Sequence, residues 1–246
     1  NRDIFKRHFP ADFISEGVDQ TRGWFYSMLV LGAFLFDQPS YKTCLSLELI
    51  LDKDSKKMSK SLGNTVAPME LLDKFGADAL RWYLVTVSPP WLPTRFDEEG
   101  VLEVNRKFMG TLANTYSFFV IYANIDRFDY HSHQRIAVKE RPEIDRWLLS
   151  TLHSLVELVN DSLVKFDLTK ATRAISEFVI DDLSNWYVRR SRRRFWKSEM
   201  GQDKLSAFQT LYESLLTVSR LISPFTPFIA EALYRNLTCD AGSQLE

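Results

Sequence analysis

The feature that most constrains this chain is the helical spacing of its apolar residues from Val101 onwards. Apolar side chains that recur every three or four residues form a stripe along one face of a helix, and no strand pattern interrupts these stripes. They comprise Val101, Val104, Phe108, Leu112 and Phe119; Leu148, Leu152, Leu155, Val159 and Leu163; Ile175, Val179, Leu183 and Trp186; and Leu205, Phe208, Leu215, Val218 and Ile222. We therefore predict an all-α helical bundle over residues 96–246.

Residues before the proline cluster "SPPWLP" at 88–93 have a different organisation, because three prolines in six residues cannot continue a helix. The candidate elements are a strand, a helix apolar enough to be buried and an alternating strand, at 11–17, 18–36 and 46–52. Gly76 divides the next helical stretch in two. Strand, helix, strand is an α/β order, so we predict an α/β domain over 1–95, with the chain mainly α overall.

Composition is that of an ordinary globular protein, with 45% hydrophobic residues and a formal net charge of −1. Contact with nucleic acid must therefore come from a local basic patch. The longest apolar run, 28–36, is shorter than the roughly 20 residues that cross a bilayer, so no membrane contact is expected. Cys44 and Cys239 are distant in sequence, which predicts neither disulfides nor a zinc site and favours a cytoplasmic location. Since Asn1 is not methionine, we expect a fragment of a longer protein.

The segment "KKMSKS" at 56–61, followed by "LGN", places three lysines directly after the alternating strand. A lysine run is usually a solvated loop. A loop at the carboxyl end of a strand in an open α/β sheet is, however, where such folds bind ligands. The chemical groups there are two mobile cations, two hydroxyls and two residues that permit a tight or left-handed backbone: Lys57, Lys60, Ser59, Ser61, Gly63 and Asn64. They suit a nucleoside triphosphate, since cations aimed at a departing pyrophosphate stabilise the transition state.

A second polar group, "EGVDQTRGWF" at 16–25, lies at the predicted strand-to-helix junction. Glu16, Asp19 and Gln20 could accept hydrogen bonds from sugar hydroxyls or an ammonium group. They could equally cap the helix, because carboxylates favour a helix N-terminus. Trp24 in the same segment belongs to a helix that is apolar all round, which on its own indicates a core aromatic residue.

A third segment, "NWYVRRSRRRFWK" at 185–197, holds five arginines, one lysine and four aromatic residues. On a regular helix the stripe ending at Trp186 continues in phase through Arg190, Arg193 and Lys197, so the core face turns basic. Unpaired buried arginines are very costly, which favours a helix that extends past its bundle and offers guanidinium and indole groups to RNA. The alternative is internal pairing with acids: Glu177, Asp181 or Asp182.

Together these segments resemble the class I aminoacyl-tRNA synthetases. "KMSKS" within "LDKDSKKMSKSLGN" is similar to the second signature of that class, and the second segment resembles the acidic-Gly-x-Asp-Gln-x-Arg-Gly-Trp-Phe segment of isoleucyl-tRNA synthetases. The third resembles their anticodon-binding helical domain. The resemblance implies a carboxy-side fragment: residues 1–95 from a Rossmann-like nucleotide-binding domain and 96–246 from the anticodon-binding domain.

The resemblance also implies roles for individual residues. Lys57 and Lys60 would be catalytic by stabilising pyrophosphate, and ATP would contact Met58, Ser59, Lys60 and Ser61. The aminoacyl-adenylate would be bound by Glu16, Asp19, Gln20 and Trp24. Transfer RNA would be bound by Trp186, Arg189, Arg190, Arg193, Arg194, Trp196 and Lys197.

The activity implied is that of an isoleucine–tRNA ligase, with ATP, isoleucine and tRNA as substrates, Mg²⁺ in the intact enzyme and no zinc site or other metal site here. The first-half histidine motif of the class is absent from these 246 residues, so we expect the fragment alone to be inactive in isoleucine activation, and a monomer. The alternatives are a valyl, leucyl or methionyl synthetase, or a tRNA-binding module without catalysis.

Overall fold

The computed structural model describes residues 2–238, so Cys239 lies outside the described part. The described chain divides into two compact units. The first consists of residues up to Val66 together with Ser88–Asp97, and the second of Ala67–Val87 together with the residues from Glu98 onwards. Residues 67–87 thus group with the bundle, whereas the sequence analysis places them with the α/β domain.

The first unit contains two short parallel sheets. Its elements are α1 (Arg2–His8), β1 (Ala11–Gly17), α2 (Trp24–Phe36), β2 (Tyr41–Leu47), β3 (Ile50–Leu51) and β4 (Thr94–Arg95). β1 pairs with β2 in parallel from Ala11 opposite Tyr41 to Gly17 opposite Leu47. β3 pairs with β4 in parallel. The predicted strand at 11–17 and the α/β character of this part are confirmed.

The single strand predicted over 46–52 is wrong, because this segment is shared by both sheets. β2 ends at Leu47, and the Glu48 amide then donates to the Pro90 carbonyl at 2.9 Å. β3 begins at Ile50 and takes β4 as its partner. Alternation of apolar and polar residues continues across the break, so a period of two cannot reveal that the strand changes partner.

The helix predicted over 18–36 begins later and is more exposed than expected. Residues 18–22 form a 3₁₀ turn, and α2 begins at Trp24. Only Phe25 and Gly32 of α2 are buried in the described structure, and the Phe34 side chain is 85% exposed. The helix is apolar all round, but it packs closely on one side only: a Cβ at Gly32 would lie 2.5 Å from Ser40 Oγ. The prediction of a buried helix is therefore wrong for the described unit.

The second unit is the predicted helical bundle. Its helices are α3 (Pro68–Phe75), α4 (Ala77–Val87), α5 (Glu98–Val104), α6 (Gly110–Asp126), α7 (Glu143–Val164), α8 (Leu168–Glu177), α9 (Arg189–Phe195), α10 (Gln202–Ile222) and α11 (Pro227–Thr238). Gly76, with φ of 80°, separates α3 from α4 as predicted. Two stretches, 105–109 and 178–188, adopt π-helical geometry inside longer helices.

Aromatic packing and hydrogen bonds from the Arg81 side chain to backbone carbonyls attach α4 to the bundle. The Trp82 ring stacks on Phe108 with centroids 4.1 Å apart and meets Phe225 edge-on at 5.7 Å. Beside it, Arg81 Nε donates to the Phe225 carbonyl at 2.8 Å. These contacts join residues far apart in sequence, which explains why 67–87 belongs to the second unit. Local periodicity carries no information on such contacts.

Candidate functional site

Residues 52–64, which we call the lysine loop, begin with a tight turn directly after β3. Asp52 Oδ1 accepts the Lys56 amide at 2.8 Å and the Asp54 amide at 3.0 Å. The Ser55 amide donates to the Asp52 carbonyl at 3.0 Å, and Ser55 adopts a left-handed φ of 62°. Leu51 then bridges Lys57 in antiparallel fashion. The turn thus presents the signature lysines immediately after a strand end.

Asn64 connects the two ends of the lysine loop through its side chain. Its Nδ2 donates to Asp52 Oδ2 at 2.7 Å and to the Lys57 carbonyl at 3.3 Å, while its Oδ1 accepts the Ser59 amide at 2.9 Å. Gly63 and Asn64 were both expected to permit a left-handed backbone, but of these two residues only Gly63 has a positive φ. The sequence analysis also missed Asp52 as the partner. The short polar side chains of Asn and Asp, which bond readily to nearby backbone, are the signal that could have indicated both.

The Asp52 carboxylate is held in its charged form by these contacts. The Lys56 amide, first, and the Asn64 side chain, second, lower the pKa of Asp52 below its ordinary value. A carboxylate that accepts several N–H donors is stabilised relative to the protonated acid. The loop is therefore organised around a fixed negative group.

The predicted loop residues are brought together on one turn. Lys57 and Lys60 are exposed, and within residues 2–238 neither forms an ion pair. Ser59 Oγ lies 3.1 Å from Ser61 Oγ and accepts the Leu62 amide at 3.3 Å, which caps a short 3₁₀ turn. Met58 is half-buried. Two cations and two hydroxyls on an ordered backbone are suited to binding a polyphosphate.

The polar group between β1 and α2 combines capping with exposed acids. Gln20 Oε1 accepts the Trp24 amide at 2.9 Å and so caps the start of α2, while Gln20 Nε2 donates to Asp19 Oδ2 at 3.0 Å. Glu16 is exposed on β1, where it pairs with Ser46 of β2 near the carboxyl ends of both strands. Trp24 is 44% exposed, so it is not the core aromatic residue of the alternative interpretation.

The basic segment lies in a different helical phase from the one predicted. The buried residues follow steps of four, through Ile175, Val179, Leu183, Tyr187, Ser191 and Phe195. The regular spacing assumed in the sequence analysis gave Trp186, Arg190, Arg193 and Lys197 instead. The π-helical stretch 178–188 causes the difference, because its wider turns take up more residues per turn than an α-helix. The core face therefore does not turn basic, since Ser191 is the single polar residue among those six, and the prediction of a basic core face is wrong.

Most of the predicted RNA-binding residues lie on the exposed side of this segment. Arg190 covers the Trp186 ring at 4.4 Å, and Trp186 is 48% exposed and lies 6.3 Å from Trp147. The other exposed members are Arg189, Arg193 and Trp196, together with Arg192, which the sequence analysis did not single out. Exposed guanidinium and indole groups side by side can contact phosphates and stack on bases.

Two of the predicted RNA-binding residues are instead engaged within the protein. Arg194, only 12% exposed, forms ion pairs with Asp145 at 2.6 Å and Asp203 at 2.8 Å. Lys197 pairs with Asp203 at 2.9 Å. Internal pairing was one of the two interpretations, but the acids are Asp145 and Asp203 rather than those of the 177–182 region. For Arg194, burial and pairing argue against contact with RNA.

Across residues 2–238, no group of three or more His, Cys, Asp or Glu residues could hold a metal ion. In the same range, no helix is long and apolar enough to cross a membrane.

Comparison with known families gives two matches. The model of the class I tRNA synthetases for isoleucine, leucine, methionine and valine matches residues 1–95, and that of the anticodon-binding domain of tRNA ligases matches 145–245. Among curated relatives, the isoleucine–tRNA ligase of Porphyromonas gingivalis is 56% identical over 94% of this chain, and that of Bacteroides thetaiotaomicron is 52% identical over 98%. The chain spans 20% of the length of each.

Solved structures share the fold at low identity. Methionyl-tRNA synthetase of Mycobacterium tuberculosis in complex with methionyl-adenylate has a TM-score of 0.76 at 23% identity, with 99% of this chain and 47% of that chain covered. LeuRS of Agrobacterium radiobacter K84, in a ternary complex with tRNA and LeuAMS, has a TM-score of 0.72 at 22% identity, with 96% and 28% covered. These likenesses confirm the combination of a partial Rossmann-like domain with a helical domain.

Proposed function

The chain belongs to the class I tRNA synthetases, and on that premise we propose that it forms the loop-bearing and tRNA-binding part of an isoleucine–tRNA ligase. The observation that carries the proposal is the lysine loop, where Lys57 and Lys60 stand exposed on a backbone fixed by Asn64. The relatives at 50% identity and above support isoleucine over valine, leucine or methionine.

The whole enzyme would join isoleucine to ATP, release pyrophosphate, and pass the aminoacyl group to the terminal adenosine of tRNA. Negative charge grows on the leaving pyrophosphate as the phosphate anhydride breaks. Lys57 and Lys60 would stabilise that charge, with the Ser59 and Ser61 hydroxyls donating to phosphate oxygens beside them. Because neither lysine is neutralised by a carboxylate in the described residues, both charges remain available to the nucleotide.

Glu16, Asp19 and Trp24 would line the aminoacyl-adenylate site. Their exposure near the carboxyl ends of β1 and β2 supports this assignment, since open α/β sheets bind ligands at that edge. Gln20 would act differently, because both ends of its amide already bond to Asp19 and to the Trp24 amide. We propose that Gln20 orients these two neighbours in the site.

Magnesium would accompany ATP in the whole enzyme. The described residues offer no cluster of three carboxylate, thiol or imidazole groups for a metal ion. Mg²⁺ is commonly bound through substrate phosphates and retained waters with few protein ligands, which is compatible with this segment. The residues here would contribute the lysine charges and not a metal site.

The test of the proposal is Lys60→Ala in the ligase that contains this segment. Isoleucine-dependent ATP–pyrophosphate exchange should fall about 100-fold or more, the usual effect of losing one transition-state donor, with tRNA affinity unchanged. Lys53→Ala is the matched control, because Lys53 is exposed in the same loop outside the signature. Equal losses in exchange and in tRNA binding would refute the catalytic assignment. The 246-residue chain alone should show no exchange.

A further inference from the structure

Asp145 is a fully buried carboxylate at the start of α7 and has three close donors. Tyr187 Oη donates to Asp145 Oδ1 at 2.7 Å, and the two terminal guanidinium nitrogens of Arg194 donate to the two carboxylate oxygens at 2.6 Å each. A bidentate pair of this kind fixes both distance and orientation. A buried carboxylate without such partners would be very costly.

Arg194 extends the network to the start of α10. Its Nε donates to Asp203 Oδ1, and its Nη2 donates to the Asp203 carbonyl, both at 2.8 Å. Burial raises the pKa of the Tyr187 hydroxyl well above its usual value, so the network holds a neutral phenol, the Asp145 carboxylate at its centre, the Asp203 carboxylate and one guanidinium. All three guanidinium nitrogens of Arg194 therefore donate hydrogen bonds within the protein.

The two residues that Asp145 holds lie on either side of the exposed arginines. Tyr187 is in the π-helical stretch that changes the helical phase, and Arg194 is in the last turn of α9. Arg189, Arg190 and Arg193 lie between them and are exposed. A helix fixed at both ends of a short segment holds each side chain between them at one fixed angle about the helix axis.

We propose that Asp145, through Tyr187 and Arg194, is a positioning residue that sets the direction in which these arginines face. That this direction affects the binding of RNA phosphates rests on the proposed tRNA-binding function. Arg194 then acts on RNA through the helix that it anchors, and Asp145 strengthens RNA binding although it carries a negative charge.

Asp145→Asn tests the proposal because the loss of a negative charge and the loss of positioning should change tRNA affinity in opposite directions. A carboxylate near phosphate-binding arginines weakens RNA binding by simple electrostatics, so its neutralisation alone would strengthen binding. Asp181→Asn is the matched control: it makes the same charge change at an exposed position of the π-helical stretch. We expect Asp181→Asn to bind tRNA about twofold more tightly. We expect Asp145→Asn to bind about tenfold more weakly, as for one lost charged hydrogen bond.

The experiment measures tRNA affinity of the 246-residue chain against salt concentration, together with the rate of trypsin cleavage at the arginines of 189–194. In the wild-type chain α9 should resist trypsin, and Asp145→Asn should be cleaved about tenfold faster, since proteolysis reports local opening. Tyr187→Phe removes a single donor and keeps the ion pair, so it provides a milder variant, expected to lose about threefold in affinity, should Asp145→Asn not fold.

Tighter tRNA binding by Asp145→Asn, at an unchanged rate of trypsin cleavage, would overturn the positioning role. So would a Tyr187→Phe chain that equals wild type in both measurements. A wild-type chain without salt-dependent tRNA binding would instead overturn the proposed function. The trypsin rates would still decide whether Asp145 holds the arginine-bearing segment, so the two failures are distinguishable.

Discussion

Replacing Asn64 with alanine should release the lysine loop from its fixed conformation. The substitution removes the acceptor of the Ser59 amide at 2.9 Å and the donor to Asp52 at 2.7 Å, without adding a group that could clash. The Ser59 amide has no other hydrogen bond in the described structure. Its bond to Asn64 is partly buried and should contribute about 1 kcal/mol to loop order.

A loss of about 1 kcal/mol corresponds to an approximately fivefold faster exchange of the Ser59 amide proton, as measured by NMR on the intact chain. NMR of the same chain at a series of pH values reports the pKa of the Asp52 carboxyl group. Its pKa should rise in Asn64→Ala but stay below the ordinary value, because the Lys56 amide, the larger cause of the lowering, remains in place. Exchange of the Ser59 amide and the pKa of Asp52 therefore report two hydrogen bonds of the Asn64 side chain, one to each end of the loop.

Ser61→Ala is the matched control for this measurement. It removes a hydroxyl 3.1 Å from Ser59 Oγ and leaves Asn64 untouched, so the exchange of the Ser59 amide should keep its wild-type rate. An Asn64→Ala chain whose Ser59 amide exchanges at the wild-type rate would refute the idea that Asn64 orders the loop. The arrangement of Lys57 and Lys60 would then need another cause.

Three other outcomes are expected. Arg141, with a 4% exposed side chain, forms a bidentate pair with Glu213, so Arg141→Ala should lower the free energy of unfolding by about 3–5 kcal/mol in urea denaturation; a loss under about 1 kcal/mol would contradict the pairing argument. Ser55→Gly relieves a left-handed φ of 62° and should slow exchange of the Lys56 amide about fivefold; unchanged exchange would show that the turn is unstrained. Folding lowers the pKa of Asp52, so the contribution of its charged form to loop stability is complete above the ordinary pKa of 3.8 and disappears as pH falls through the lowered pKa. Exchange of the Lys56 amide between pH 5 and pH 2 measures this loss. Loss of protection already near pH 5 would show that the pKa is raised and not lowered.

Local spacing was sufficient to predict the bundle and its helix breaks, because each stripe depends only on residues within one helix. Gly76, for example, ends α3 with the positive φ that glycine adopts most easily. The lysine loop was also predictable, as its residues are contiguous. Contacts between distant segments were not: the pairing of β3 with β4 brings Ile50 to Thr94, and neither sequence neighbourhood indicates the other.

The basic segment shows a second reason why prediction failed. Helical wheels assume a constant number of residues per turn, and the stretch 178–188 does not keep it. Arg194 was grouped with the RNA-binding arginines by the family resemblance, and its pairing with Asp145, 49 positions earlier in the chain, could not be read from the local sequence. The exposed side of α2 is a third case, since hydrophobicity in sequence cannot say which face a neighbouring segment covers.

The π-helical stretch decides which side chains after it face solvent. If 178–188 closed as a regular α-helix without losing a residue, its turns would hold fewer residues, and every side chain after it would rotate about the helix axis. Arg190 and Arg193 would then fall in phase with Ile175, Val179 and Leu183 on the core face. The exposure of these two arginines therefore depends on the wide turns before them and not on their own charge alone.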